Sequence, residues 1–588
     1  MDRIMGQVPG SKELAIRVLR WIAFTTRPLT TLELQHALAV EIGERAIDGE
    51  NLSEIEDIVS VCAGLVTIDE RSDTIRLVHY TAQKYIEWTR NKWFSGAQTD
   101  IAMTCVAYLS FDTFENGFCE TKEEFESRLE LNPFYDYAAR NWGHHAHTVP
   151  AELELLLNDF LKSEAKVSSC SQALMAEKNW GSQNVPRNMT GAHLAAYFGL
   201  KEVMLALLKN RYHPGLKDSH GRTPLSLAAE NGREAVVELL LAKGGVDPDP
   251  NDNDGRTPLS WAAGNGQAGA AELLLAQGGV SSDSKDNSGQ SPLLWAAKYG
   301  HEAVVGLLLA QGDVDPGSKD SDRQTPLSCA ARNGHRAVVE LLLAKEGVDP
   351  NSKDNDGRTP LSWAATRGCG AVVELLLAEE GVDPDSKDNE GWTPLTWAAE
   401  GGHGAVVVLL LLKEGVNPDS KDNEGWTPLS WAARNGHKAV VELLLAKEGV
   451  NPRSKDSDGR TPLSWAATRG CGAVVELLLA EEGVDPDSKD NKGWTPLSWA
   501  VEDGHGAVLQ LLLAKEGVDP DSKDNDGRTP LSWVAEHGHQ TLVELLLAKD
   551  SVDPNSKDNN GRTPLSWAVE NGRESVVELL QSHSSMSS

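Results

Sequence analysis

The chain has 588 residues, far more than one hydrophobic core serves, so two or more structural units are expected. Its formal net charge of −32 is spread along the length, with −9 in residues 1–150; nucleic-acid affinity comes largely from basic residues displacing counterions, so DNA and RNA are excluded as partners. No run of about 18 uncharged apolar residues is present, which excludes membrane insertion as a helix.

The first ten residues lack the basic region, apolar run and small-residue cleavage site of a secretory signal, which makes a cytoplasmic chain the expectation. The cysteines agree. There are seven, an odd number, they are scattered, and Cys369 and Cys471 occupy equivalent places in two copies of a repeat, so reduced thiols are expected.

In chain order, Ser11 is placed to cap a helix through Leu14, Val18, Leu19 and Ile22, and Thr30 or Thr31 a second through Leu34, Ala37 and Leu38. A third helix is expected from Ile55 to Cys62. The alternation in Leu65-Val66-Thr67-Ile68 and Ile75-Arg76-Leu77-Val78, around the polar turn Arg71-Ser72-Asp73, reads as a hairpin, with a helix from Tyr80 to Trp88 after it. Three helices and a hairpin make up a small α+β winged helix.

Four stretches carry a resemblance: Arg27-Pro28-Leu29-Thr30, Leu34-Gln35-His36-Ala37-Leu38, Arg76-Leu77-Val78-His79-Tyr80, and Tyr137-Ala138-Ala139-Arg140-Asn141-Trp142. On these, residues 6–147 resemble the winged-helix region of fungal receptor-like (STAND) proteins, in which a NACHT nucleotide-binding domain precedes the winged helix and ankyrin repeats follow it. A similar domain is labelled after the GPI inositol-deacylase. The chain has no Gly-x-Ser-x-Gly nucleophile elbow and no Gly-x-x-x-x-Gly-Lys-Ser/Thr phosphate loop, so neither deacylation nor nucleotide hydrolysis is expected. The resemblance implies a phosphate contact for His79; the residues alone allow a packed histidine at a strand-to-helix junction. His144, His145 and His147 have no acidic or Cys ligand at a supporting spacing and are read as interdomain surface rather than a metal centre. The expected organisation is a winged-helix-like domain with following helices over 1–150, a helical connector over 151–187 and a repeat array over 188–588.

The array announces itself by spacing. Pro224, Pro258 and nine further prolines to Pro564 recur every 34 residues, and a worn unit at Thr190 brings the total to about twelve. In one unit, Asp354-Asn355-Asp356-Gly357 is a turn cluster. Thr359-Pro360 opens a short helix, and Ala371-Val372-Val373-Glu374-Leu375-Leu376-Leu377-Ala378 forms a second, too apolar and too short to stand alone. The pattern resembles the ankyrin repeat, with one extra residue per unit and with Ser362 and Trp363 where His and Leu are usual. The expected fold class is therefore a mainly α, ankyrin-type α-solenoid preceded by the winged helix. Segments 356–389 and 458–491 are identical. The periodic Trp261, Trp295, Trp363, Trp397, Trp431, Trp465, Trp499, Trp533 and Trp567 read as core anchors, and the repeated histidines, such as His335 and His403, as helix-turn structure. Gln581 and Ser582 in the last helix read as a terminal cap.

The resemblance implies a non-catalytic interaction or scaffold protein that binds a protein partner through the concave face of its repeats and holds no cofactor or metal. The alternative is a sensor and regulatory fragment of a NACHT-type receptor acting in non-self recognition, with the NTPase domain on no part of this sequence. Positions that vary while the framework stays fixed mark the candidate surface. They are Arg358, Trp392, Trp426, Arg460 and Trp494, just before Thr-Pro-Leu, and Arg332, Arg367, Arg434 and Arg469 at the helix turn. Arg and Trp are the residue types richest in binding hot spots. The competing reading has the three Trp packing along neighbouring hairpins while the Arg residues pair with tip acids such as Glu390 and Glu424.

Overall fold

The computed structural model describes residues 2–146, 151–176, 185–210 and 213–586. They fall into two compact units, Met1–Ala296 with Ala303–Val314, and Ala297–Glu302 with Asp315–Ser588.

The first unit opens with α1 (Asp2–Met5) and α2 (Pro9–Phe24), whose proline occupies the first turn where a missing N–H costs nothing. Helix α3 (Thr31–Ala39) is started by Thr30: its hydroxyl accepts from the Glu33 N–H, and the Glu33 carboxylate accepts from the Thr30 N–H at 2.8 Å. Arg27 holds the same buried carboxylate with two further hydrogen bonds. Helix α4 (Ile55–Val61) leads into strands β1 (Val66–Asp69) and β2 (Thr74–Leu77), antiparallel with Val66 opposite Leu77. After α5 (Tyr80–Trp93), α6 (Ala97–Leu109) packs against α8 (Tyr135–His145), with α7 (Lys122–Leu131) between them in sequence. Their core is aromatic: Tyr108, Phe114, Phe134 and Tyr135 are all within 1% of full burial, and their rings meet 4.7–5.9 Å apart. Such pairs add about 0.5–1.5 kcal/mol each beyond the area they bury.

Within the expected connector, residues 151–176 form two packed helices, α9 (Ala151–Lys162) and α10 (Glu164–Met175), with Leu153, Leu157, Phe160 and Cys170 buried. Trp142 of α8 stands between Phe160 of α9 and Phe198 of the first repeat. Gly143 permits that approach, because a Cβ there would lie 2.1 Å from the Phe198 ring.

Among the described residues twelve helix pairs follow, from Gly191–Phe198 with Lys201–Lys209 to Pro564–Glu570 with Glu574–Met586. In the unit read above, the Thr359 hydroxyl accepts from the Ser362 N–H at 3.2 Å and starts the helix Pro360–Thr366, while Val372, Val373, Leu376 and Leu377 turn the second helix, Gly370–Ala378, inward. A Ser hydroxyl serves the local bond here; in the first repeat His193 caps Thr190 and its Nε2–H also reaches the Arg222 carbonyl at 3.1 Å.

Within the second unit, clamps between neighbouring repeats recur at the repeat spacing. The Asn389 side-chain amide donates to the Asn355 carbonyl, the Lys353 ammonium to the Lys387 carbonyl, and His403 Nε2–H to the Thr366 carbonyl. Gly357 sits at φ +79°, and a Cβ there would lie 2.6 Å from the Asn389 side-chain oxygen, so both conformation and close approach require glycine. Arg323 takes the equivalent place at φ 60°, a conformation costly for a side chain. All seven cysteines are free thiols.

The loops after the second helices carry half-buried carboxylates. Asp487 Oδ2 accepts from the Asp519 N–H at 2.7 Å and Asp521 Oδ2 from the Asp553 N–H at 2.6 Å, while Oδ1 of Asp385, Asp487 and Asp521 is buried with no hydrogen-bond partner. Burial pushes Asp385 up to about 6, and pushes Asp419, Asp487 and Asp521 upward too. The folded state therefore binds more protons than the unfolded chain between the ordinary carboxylate range and pH 6, and stability falls as pH rises through that window. The expected result is a higher Tm at pH 5 than at pH 7, with Asp385→Asn raising Tm at pH 7 and flattening the profile. Differential scanning calorimetry across that range checks it. An unchanged profile in the variant would assign the dependence to overall charge instead.

Candidate protein-binding surface

From Asp354 onward, each repeat of the second unit begins with an aspartate that fixes two things at once. Asp388 Oδ1 accepts the backbone N–H groups of Glu390 and Trp392, at 3.0 and 2.8 Å, which closes the hairpin turn. Its Oδ2 accepts the indole N–H of Trp397 at 3.0 Å, which fixes the ring in the following helix. The same indole bond joins Trp363 to Asp354, Trp431 to Asp422 and Trp465 to Asp456, at 2.8–3.0 Å. The framework Trp is thus an anchor held by its polar edge as well as by burial.

From Arg358 to Arg528, the residue before each Thr-Pro-Leu slots between the Trp of its own repeat and the Trp of the next. The Arg358 guanidinium lies 4.7 and 4.1 Å from the rings of Trp363 and Trp397. Trp392 is 4.3 and 4.4 Å from Trp397 and Trp431, and Trp426 is 4.4 and 4.0 Å from Trp431 and Trp465. Arg460 bridges Trp465 and Trp499, Trp494 bridges Trp499 and Trp533, and Arg528 bridges Trp533 and Trp567. The outcome is a continuous column of stacked rings and guanidinium planes from Trp363 to Trp567. Arg and Trp exchange freely at the intervening position because both are flat and both stack on an indole face. In the first unit, Arg256 bridges Trp261 and Trp295 in the same way.

In this geometry Trp392, Trp426 and Trp494 pack along neighbouring hairpins, as the competing reading of these residues has it. Trp426 and Trp494 are only 6% and 8% exposed, and Trp392 is half-buried, because their faces are occupied by the framework Trp residues. Arg358 and Arg460 are likewise enclosed. Their nearest carboxylates are those of Asp388 and Asp490, at 4.0 Å, rather than the tip acids Glu390 and Glu424.

The helix-turn set is placed differently. Arg332 stacks 4.4 Å from Trp363, and Arg434 lies 5.3–5.9 Å from Trp426, Trp431 and Trp465, both half-buried along the edge of the column. Arg367 and Arg469 are exposed.

Two surface residues escaped the sequence reading. Val408 and Leu412 are 38% and 77% exposed on the second helix Gly404–Leu412, where the neighbouring repeats carry Glu374 and Ala378, or Glu442 and Ala446. Comparing that position down the repeats would have found them.

In the first unit His79 is exposed rather than packed. Its Nδ1 lies 2.9 Å from the Thr81 hydroxyl and 3.2 Å from the Thr81 N–H, at the first turn of α5. His145 is buried between Tyr137 and Gln98, and His144 packs edge-on against Phe198 at 5.2 Å. His147 lies outside the described residues. Among the described residues no group of three or more His, Cys, Asp or Glu side chains is arranged to hold a metal ion, and no helix is long and apolar enough to cross a membrane.

The sequence matches a family model described as ankyrin repeats (3 copies) over residues 160–252, 243–320, 311–388, 370–456, 445–524 and 504–587. The chain belongs to the ankyrin-repeat family. Residues 1–104 match a second model, the winged-helix domain of GPI inositol-deacylase, in keeping with the helices and hairpin found there. A similar protein is azaphilone pigments biosynthesis cluster protein L of Monascus ruber, 30% identical over 146 residues, a stretch covering 22% of this chain. The chain spans 30% of the length of that relative. The ankyrin-repeat units described above account for the 34-residue spacing, and the column is built on their framework positions.

Proposed function

We propose that this ankyrin-repeat protein is a non-catalytic scaffold in the cytoplasm that recognises an acidic protein surface through the arginines beside its Trp–Arg column. The observation that supports this reading is the placement of Arg332, Arg367, Arg434 and Arg469. All four stand at the helix turns of the second unit, Arg332 and Arg434 against the rings of the column and Arg367 and Arg469 exposed one position further on, in a chain whose net charge is −32. The column fixes the backbone that carries them, so binding loses little conformational entropy. Surrounding acids such as Glu400 and Asp503 repel basic partners and sharpen the choice.

Replacing both exposed cations, Arg367→Glu with Arg469→Glu, is expected to weaken binding to an acidic partner isolated by pull-down by about 1–3 kcal/mol. Tm is expected to stay nearly unchanged, since neither residue is part of the column. Calorimetric titration checks the affinity. An unaltered affinity in the double variant would remove this edge as the recognition surface.

One observation favours a second reading, a regulatory fragment of a NACHT-type receptor. His79 is exposed beside clefts formed by β2, α5 and the loop after α2. A nucleotide-binding domain joined ahead of the winged helix would find the imidazole accessible. An in-frame phosphate-loop motif in the DNA upstream would favour this reading over an independent scaffold.

A further inference from the structure

A cleft of about 610 Å³ opens in the first unit between α1, α2, the chain after α3, and α6. That size lies in the range of small-ligand sites. Its apolar wall is formed by Met5, Ile16, Val40, Ile42, Ile101 and Met103. The polar lining is unusual for so acidic a chain, because Lys12, Arg17 and Arg20 outnumber Glu13 and Asp100.

The three cations are not equivalent. Arg20 is ion-paired with Asp100, although its Nε remains buried without a hydrogen-bond partner. Arg17 donates to the Leu38 carbonyl, and among the described residues no carboxylate lies within 4.0 Å of its guanidinium. Glu13 and Glu41 act on it only from longer range, and burial holds it below the usual arginine range. A half-buried cation without a partner charge is costly to the fold and would be compensated by an anion entering the cleft.

We infer that this cleft binds a small amphipathic monoanion, a medium-chain carboxylate whose head meets Arg17 and whose chain lies over Ile16, Val40 and Ile101. A dianionic head would meet Glu13 and Asp100 as well as the cations. A purely apolar ligand would leave the Arg17 guanidinium unpaired. Each methylene moved from water onto the apolar wall tightens binding by about fourfold, so affinity is set by chain length as well as by charge.

The test is calorimetric titration of the full chain with sodium decanoate, with hexanoate and decyltrimethylammonium as comparisons. Expected are one saturable decanoate site per chain, hexanoate at least about tenfold weaker, and no saturable binding of the cationic amphiphile. Arg17→Met should weaken decanoate at least about tenfold and erase the preference for the anion. Ile42→Glu, at an exposed position on the mouth of the cleft, should do the same by repulsion, and it decides the matter if circular dichroism shows Arg17→Met to be unfolded. Vesicles of dioleoylphosphatidylcholine with dioleoylphosphatidic acid form a separate arm, in which a site for the free carboxylate leaves the protein unbound. Failure of decanoate to saturate at about millimolar concentration, equal binding of the cationic amphiphile, or indifference to the folded variants overturns the proposal. Arg17-dependent sedimentation with the vesicles overturns the free-carboxylate assignment.

Discussion

Trp426→Ala is expected to cost about 3–5 kcal/mol, the loss typical of deleting a buried aromatic ring. Both faces of this ring are occupied, by Trp431 at 4.4 Å and Trp465 at 4.0 Å, and Arg434 approaches within 5.4 Å. Its removal opens a gap between two repeats whose own Trp residues cannot close it, because their indole N–H groups are tied to Asp422 and Asp456. Trp392→Ala is expected to cost less, since that ring is more exposed. Trp426→Arg provides the discriminating variant. Arginine fills the same place in the repeats of Arg358 and Arg460, so a guanidinium should restore most of the lost stability if stacking is the stabilising contact. Urea titration followed by circular dichroism measures both variants, and a separate early transition is expected in Trp426→Ala, because repeats coupled only to their neighbours unravel locally. A loss under about 1 kcal/mol would mean that the column is a surface feature with little structural weight.

The repeats were legible in the sequence because their signal is local: turn, Thr-Pro and two short apolar helices recur at a fixed spacing. The column was not legible, because it is made across repeats. Trp392 is five residues from Trp397 but 39 from Trp431, and nothing in a single unit states that its ring lies between them. A trace was present all the same. The position before Thr-Pro-Leu carries Arg or Trp in most repeats, whereas Gln324 shares its repeat with Cys329, which replaces the framework Trp and approaches the Gln324 side chain instead. Read as a matched pair, those two departures point to contact between the positions. Repetition of Arg and Trp is compatible with hot-spot composition and with packing along the hairpins, and of the nine candidate residues Arg367 and Arg469 are the exposed ones. In the first unit Thr30, the hairpin and α5 followed from capping and alternation. The cleft beside Arg17 did not, since its walls come from α1, α2, α6 and the chain after α3.

Asp388→Ala is expected to cost about 3 kcal/mol, although it removes only one carboxylate. Three donors lose their acceptor together: the N–H groups of Glu390 and Trp392 and the indole of Trp397. The site is buried, with Asp388 8% exposed, so water replaces these bonds poorly. Asp388→Asn separates the two tasks. Its amide oxygen can still accept both backbone N–H groups, but its NH2 then faces the indole N–H, donor against donor, and about half of the loss should remain. The identical segments 356–389 and 458–491 give an internal replicate. Asp490 accepts from Lys492, Trp494 and the Trp499 indole at 2.8, 2.8 and 3.0 Å, so Asp490→Ala should cost as much as Asp388→Ala. Asp383→Ala, at an exposed position in the preceding loop, should change little. Thermal and urea unfolding of the four variants measure the series. If Asn proves as stable as Asp, the indole bond contributes nothing and the Trp positions are held by stacking alone. If the Ala variants match Asp383→Ala, the aspartate is dispensable, and the coupling of hairpin to column falls with it.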